Sequence, residues 1–303
     1  MYLILTLVVV IIFFILDYLF HIYHKEKFRN KFPKNILPPL DESVKLPLIN
    51  KNNEINKTIY RTYYNLDKIS LFQKAIDTTQ KNMPSYKQVY YDDNDIENFI
   101  TENYSERILR AYRAINPDYG PARADFFRYL VIYKYGGIYL DIKSAILANI
   151  EEEIINNSDK LLISKGRDSF LNYPNNFGFI PILNNSFDWS DFSGIKYGEY
   201  NNWHIIAPAG HPVLGKVIQQ IVSNIEYGLD KMEEYKNGEY SVLALTGPLV
   251  YTKIIEKYKK DNVVIYPPRL NNKVTYRLED HTNKGSKKHY SQVENKQILR
   301  WIV

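Results

Sequence analysis

The sequence predicts an α/β fold, a mainly parallel sheet flanked by helices, preceded by a single N-terminal transmembrane helix. Three observations lead there. Short β-branched and aromatic runs alternate with stretches of helical periodicity along most of the chain. Residues Ala122 to Ser144, ARADFFRYLVIYKYGGIYLDIKS, compress a helix, a two-glycine break and a buried strand ending on a carboxylate into one unit. Tyr2 to Leu16 is an almost unbroken apolar run.

That run, continued by Tyr18, Leu19 and Phe20 after Asp17, just reaches across a hydrocarbon core of roughly 30 Å at about 1.5 Å per residue. It reads as an anchor within residues 1–24, meeting a lipid bilayer through residues 2–20. A cleaved signal peptide would need a basic start and a small-residue cleavage site, and neither is present. Lys25, Lys27, Arg29, Lys31 and Lys34 follow, which by the positive-inside rule places the bulk of the chain on the cytoplasmic side of the membrane. Sequons at Asn56, Asn103, Asn156 and Asn184 would carry glycan on the lumenal side instead. Residues 25–50, basic and then broken by Pro33, Pro38, Pro39 and Pro47, read as a stem.

Residues 51–303 then form one domain. A chain of 303 residues with 45% hydrophobic and 24% charged content is long enough to bury a sizeable core, and disorder throughout is excluded. With no cysteine, disulfides and thiolate metal sites are excluded too. A net charge of +5 suits an anionic small substrate or an anionic membrane surface without choosing between them; no nucleic-acid partner is expected.

Within the domain, Thr58 to Tyr64 (TIYRTYY) has the composition of a first strand, and Lys87 to Tyr91 of a second, with a helix from Leu71 to Gln80 between them. The acidic turn Asp92, Asp93, Asp95 suits a helix N-terminus capped by Asn94 or Asp95, in preference to a hard-cation site. A helix from Ser105 to Ile115 leads into the central unit. There Phe127, Leu130 and Val131 share one side of a helix, and Asp125 and Arg128 project from nearly the opposite side. Gly136 and Gly137 supply the positive φ that ends it, and Ile138, Tyr139 and Leu140 make a buried strand. The unit offers a carboxylate, Asp141, at a strand end facing a carboxylate and a guanidinium. Polar ligands sit at that edge of open α/β sheets; a purely structural helix ion pair is the alternative.

Beyond it, Ala145 to Ile155 leaves the sheet, with Glu151, Glu152 and Glu153 a solvated cluster. Leu161 to Lys165 is a further strand, and Arg167 to Lys196 a loop over a site or an acceptor-binding insertion. His204 and His211 read as structural, because no carboxylate lies near them in sequence. Pro212 suits the first turn of a helix running from Val213 to Tyr227. Thr246-Gly247-Pro248 opens another helix, whose free N–H groups suit an anion or a sugar hydroxyl. Val263 to Tyr266 is a strand, and Lys284 to Lys296 is basic.

Asp125-Phe126-Phe127-Arg128, the glycine pair and Tyr139 to Asp141 together resemble the signature of the family-32 glycosyltransferases, the DXD sugar-binding group that includes fungal α-mannosyltransferases. The unit is also similar to the glucosylating clostridial toxins. In those relatives the helix carries D-x-x-R and the strand ends in D-x-D, whereas here the last motif reads Asp141-Ile142-Lys143. The likeness runs from about Ile55 to the end, through Pro84, Tyr86, the Gly210-His211-Pro212 turn and Thr246-Gly247-Pro248.

The resemblance implies a GT-A type nucleotide-sugar-binding fold and transfer of a hexose from a nucleotide-sugar donor to a glycan or other hydroxyl acceptor, with retention. By residue-by-residue match, Tyr63 lies where the nucleotide base stacks, worth about 1–3 kcal/mol, although core packing accounts for it as well. Asp125 and Arg128 match the donor-sugar residues, and Asn202 borders that pocket. Asp141 contacts the ribose and any metal, and His289 matches a late histidine over the diphosphate. The family's divalent metal, Mn²⁺ or Mg²⁺, is put in question because Lys143 replaces the second carboxylate. Three readings stay open. Lys143 balances the leaving diphosphate itself as a catalytic group; or a metal is kept through Asp141 and His289; or the chain is a membrane-tethered pseudoenzyme that binds a nucleotide or glycan.

Overall fold

The computed structural model describes residues 15–16, 38–49, 54–164, 200–230, 239–266, 270, 272–278 and 297–301. By compactness the chain divides into residues 1–36 with 167–198, and 37–166 with 199–303. Of the first unit only Ile15 and Leu16 are described, an exposed helical pair. The expected membrane anchor otherwise lies outside the described residues, as does the loop from Arg167 to Lys196. Among the described residues no helix is long and apolar enough to cross a membrane.

The second unit is built on a six-stranded sheet. Its members are β1 (Thr58–Thr62), β2 (Lys87–Tyr91), β3 (Gly137–Leu140), β5 (Leu161–Ser164), β6 (His204–Ala207) and β7 (Val263–Tyr266), in the order β2-β1-β3-β6-β5-β7. β1 runs parallel to β2 and β3, and β5 parallel to β7. The exception is β6, antiparallel to both β3 and β5, with Leu140 opposite His204. A second ladder pairs β4 (Ala145–Ile146) with β8 (Val274–Thr275).

Strand residues alternate between two buried faces, as period-2 geometry requires of a sheet covered on both sides. Tyr60, Tyr139, Leu161, Ile163, Ile205 and Ala207 point into the larger core. Ile59, Ile138, Leu140, Leu162 and Ile206 point into the smaller one. The larger core is closed by residues of α2 (Asp93–Asn103), α3 (Glu106–Ala114), α4 (Gly120–Tyr135), α6 (Pro212–Asp230), α7 (Glu239–Leu245) and α8 (Pro248–Tyr258). On the other side lie Met83, from the end of α1 (Gln73–Asn82), and Ile154 of α5 (Glu151–Ile155).

Both sides of α4 are enclosed: Ala122, Arg123 and every residue from Asp125 to Ile132 are buried. Several expectations are corrected. The cap of α2 is Asp92, whose carboxylate accepts from the Asn94 and Asp95 N–H groups while Asp95 returns a bond to the Asp92 N–H. The residues 151–153 are not merely solvated. Glu151 accepts from Lys57 and Ser85, and Glu153 pairs with Lys273.

The Pro-containing segment read as a stem is, from Pro38 to Ile49, a strap along α6. Val44 is buried, Gln219 donates to its carbonyl at 3.1 Å, and Gln220 donates to the Pro38 carbonyl at 2.9 Å. Arg107 forks onto Glu226 with two 2.7 Å bonds and also meets Asp41, tying strap, α3 and α6 together. At the other terminus, Ile298 and Leu299 are buried and Leu299 bridges to Ile115.

The reversal from α4 into β3 depends on two glycines at φ +67° and +105°. A Cβ on Gly137 would stand 2.7 Å from the Thr58 carbonyl oxygen and 2.6 Å from the Asn56 side chain. Gly137→Ala is therefore expected to cost roughly 2–4 kcal/mol in urea unfolding. Gly120→Ala, where nothing lies within 4 Å, serves as the control and should change little. Equal stability of the two variants would refute the close approach.

Candidate active site

The helix-turn-strand unit works because Gly136 caps α4 in a left-handed conformation, its N–H donating to the Ile132 carbonyl. The chain then turns straight into β3, so the inner polar face of α4 ends up beside the carboxyl end of that strand. Asp141 continues the β3–β6 ladder by donating its N–H to the Trp203 carbonyl at 2.9 Å. Asn202 thereby arrives next to the same strand end.

Arg128 is the centre of the cluster. It bonds Asp125 Oδ1 at 3.0 Å, Asp141 Oδ1 at 2.9 Å and the Asn202 carbonyl at 2.8 Å. Its guanidinium also lies 4.8 Å from the centre of the Tyr139 ring, and the Tyr139 hydroxyl donates to Asp141 Oδ1 at 3.1 Å. The Asn202 amide donates to Asp125 at 3.1 Å and to the Tyr129 hydroxyl at 3.0 Å. Thr246, from the Thr-Gly-Pro turn, adds a side-chain hydrogen bond to Asp125, and Tyr129 stacks on Tyr251 at 5.4 Å.

One guanidinium therefore serves two carboxylates away from water, and the set carries a net negative charge. Burial, with Asp141 adding to it, pushes the Asp125 carboxyl up to about 6 against the pull of Arg128. Burial works against the Arg128 charge, but the two carboxylates more than offset it and hold its pKa well above the ordinary value. Asp125 and Arg128 side chains are 9% and 5% exposed, whereas Asp141 keeps 18%. Asp141 is thus the member with an edge open to a ligand.

Behind that edge stands Arg61, fully buried on β1. It donates to the carbonyls of Asp141, Ile142 and Ser144 at 3.1, 3.2 and 2.9 Å, to Gln88 at 3.0 Å and to Thr79 at 2.8 Å. Burial lowers its pKa to about 10, still protonated near neutrality. Lys143 extends over the Tyr276 ring, 4.6 Å from its centre. The Lys143 carbonyl accepts from the Leu278 N–H at 3.0 Å.

Of the residues singled out from sequence, Asp125, Arg128, Asp141 and Asn202 come together, and Lys143 flanks them on the same turn. Tyr63 stands apart from these contacts at the end of β1, half-buried against Tyr64 and Phe72. His289 lies outside the described residues. His204 is structural: its Nε2 meets Ser164 Oγ at 2.9 Å and burial holds its pKa down to about 3. His211 likewise meets the Asn262 carbonyl at 3.0 Å. Arg61, Tyr129, Tyr139 and Thr246 were not singled out for the cluster. For Arg61 a signal existed, a cation on the inward side of an otherwise buried strand.

Among the described residues the donor set does not fit a divalent metal. Among the described residues no group of three His, Cys, Asp or Glu side chains is placed to hold one. Asp141 Oδ1 is already shared by Arg128 and Tyr139, and position 143 carries a lysine.

Residues 70–161 match the family described as the glycosyltransferase sugar-binding region containing a DXD motif. Over those residues, which include Asp125, Arg128 and Asp141, the chain is similar to DXD-type glycosyltransferases. It is 28% identical over 245 residues to the initiation-specific alpha-1,6-mannosyltransferase of Candida albicans, covering 78% of this chain and 58% of that protein. To the protein of the same name in Schizosaccharomyces pombe it is 31% identical over 183 residues, covering 58% and 42%. The chain thus spans about half the length of these relatives. Among solved structures the PaToxG glycosyltransferase is similar at 18% identity with a TM-score of 0.41, covering 80% of this chain and 79% of that one.

Two outcomes follow from the shared guanidinium. Arg128→Met leaves two buried carboxylates facing each other and is expected to cost about 3–5 kcal/mol in urea unfolding, part of it restored by adding Asp141→Asn. A cost below about 1 kcal/mol would contradict the arrangement. Asp125 titrates above its ordinary 3.8, so its contribution to stability is full below that value and is lost as pH rises through about 6. Between pH 4 and 7 the wild type should lose about 2 kcal/mol relative to Asp125→Asn. A constant difference across that range would mean that Arg128 keeps the carboxyl ionised throughout.

Proposed function

We propose that this protein transfers a hexose from a nucleotide-sugar donor to a hydroxyl of a glycan or other acceptor. The observation that carries the reading is the Asp125–Arg128–Asp141 cluster at the carboxyl end of a central strand, inside the matched sugar-binding region. Such an edge is where ligands of open α/β sheets bind. The names of the two fungal relatives make a mannosyl donor the first to test.

In this reading Asp141 uses its open edge to accept hydrogen bonds from donor hydroxyls, with Arg128 and Tyr139 fixing the carboxylate. Asp125 and Asn202 hold Arg128 from behind. The bond from the anomeric carbon to the donor's phosphate oxygen breaks, and its electrons leave with the nucleoside diphosphate. The acceptor oxygen bonds that carbon and gives up its proton to solvent or the leaving group. Retention at the anomeric carbon and a membrane-anchored, cytoplasm-facing domain complete the proposal. They are supported by family resemblance and by the apolar run at Tyr2 to Leu16 with its following basic residues.

The test is donor hydrolysis and transfer by the full-length protein in detergent over a panel of nucleotide sugars. Turnover of one donor is expected, with Asp141→Asn lowering kcat on the order of a hundredfold. Binding of a donor with no turnover against any acceptor would favour a nucleotide-binding pseudoenzyme. Failure of every donor to bind would end the reading.

A further inference from the structure

The turn from Asp141 to Ser144 reads Asp-Ile-Lys in place of the D-x-D of the matched region, and its chemistry is that of an anion site. Three carbonyl oxygens of the turn, those of Asp141, Ile142 and Ser144, are directed inward to one buried cation, Arg61. Oxygen atoms of this kind are what a hard divalent ion would seek. The one carboxylate is shared by Arg128 and Tyr139. Lys143, two residues on, makes no ion pair among the described residues, and its ammonium rests on the face of Tyr276. A ring face holds a cation without neutralising it, so the charge stays available to a ligand.

The backbone under Lys143 is pinned from two sides. Arg61 grips it from the sheet, and the segment after β8 grips it from the flank, through the Leu278 N–H on the Lys143 carbonyl and the Ser144 hydroxyl on the Tyr276 carbonyl. Arg61 is itself held at Nε by Gln88 and at one terminal nitrogen by Thr79. Lysine at this position is thus not a loose surface charge. It is a cation presented on a turn that another, buried cation shapes.

The geometry points to a diphosphate seat that works without a divalent metal: Lys143 supplies the charge that meets the donor's diphosphate, and Arg61 is the positioning residue that sets its turn. This inference rests on the donor reading above and adds to it the means by which the leaving group is held. Arg61 has no part in contacting the ligand; its guanidinium is enclosed beneath the turn.

The experiment measures binding of UDP and GDP, with uridine and guanosine beside them, to the full-length protein by calorimetry in EDTA and in Mn²⁺. One diphosphate is expected to bind with the same Kd in both conditions, within about twofold, and at least about tenfold more tightly than its nucleoside. Lys143→Ala should remove that advantage while leaving nucleoside affinity unchanged, and Lys143→Asp should make diphosphate binding depend on Mn²⁺. Arg61→Lys keeps a cation but cannot reach three carbonyls and Gln88 together, so it should lose diphosphate affinity with nucleoside affinity retained. Should Arg61→Lys fail to fold, the Lys143 variants decide alone. Wild-type binding only in Mn²⁺, or an unchanged Kd in Lys143→Ala, overturns the inference and leaves the donor reading standing. If neither diphosphate binds in either condition, both fall.

Discussion

Arg128 holds two carboxylates that would otherwise repel each other in a space nearly closed to water. In a low-dielectric interior such an arrangement is stable only while every partner is in place. The guanidinium bonds one carboxylate of its own helix, one at the end of β3 and a carbonyl just before β6. A single side chain therefore joins three segments that are far apart in sequence. Because Asp141 alone keeps an open edge, the same bond that stabilises the cluster also aims the carboxylate a ligand would meet.

The sheet makes that convergence possible. Had β6 run parallel to β3, its carboxyl end would lie beside that of β3, and Asn202 and Trp203 would lie at the opposite edge. Running antiparallel, β6 brings the residues that precede it to Asp141. Gly136 and Gly137 do the corresponding work for α4, since only a chain able to take positive φ twice can enter β3 at once. Farther out, the strap from Pro38 to Ile49 and the buried C-terminal residues Ile298 and Leu299 close the helical layer from outside. These are stabilising contacts remote from the cluster.

Much of this was legible in advance where one local rule operates alone. β2 and β7 fall where their β-branched and aromatic runs end, and the glycine pair stops α4 where expected. Asp125, Arg128 and Asp141 could be named from motif spacing and Asn202 from the family resemblance, and they do meet. The expectations that failed turned on partners the local pattern does not display. Glu151 and Glu153 looked solvated because their partners, Lys57, Ser85 and Lys273, are distant in sequence. The cap went to Asp92 because a reciprocal bond with Asp95 was open to it.

Residue order alone thus settled the helix-turn-strand unit, the three polar residues it carries and the lysine at position 143, since each depends on neighbours a few residues away. Folding decided the rest. It reversed β6, enclosed Asp125 and Arg128, turned three carbonyls toward Arg61 and laid Lys143 on Tyr276. Those outcomes depend on distances between segments up to 135 residues apart, from Lys143 to Leu278, and on how little water remains between them. Neither quantity is written in local spacing, and both set what charge a bound ligand would meet.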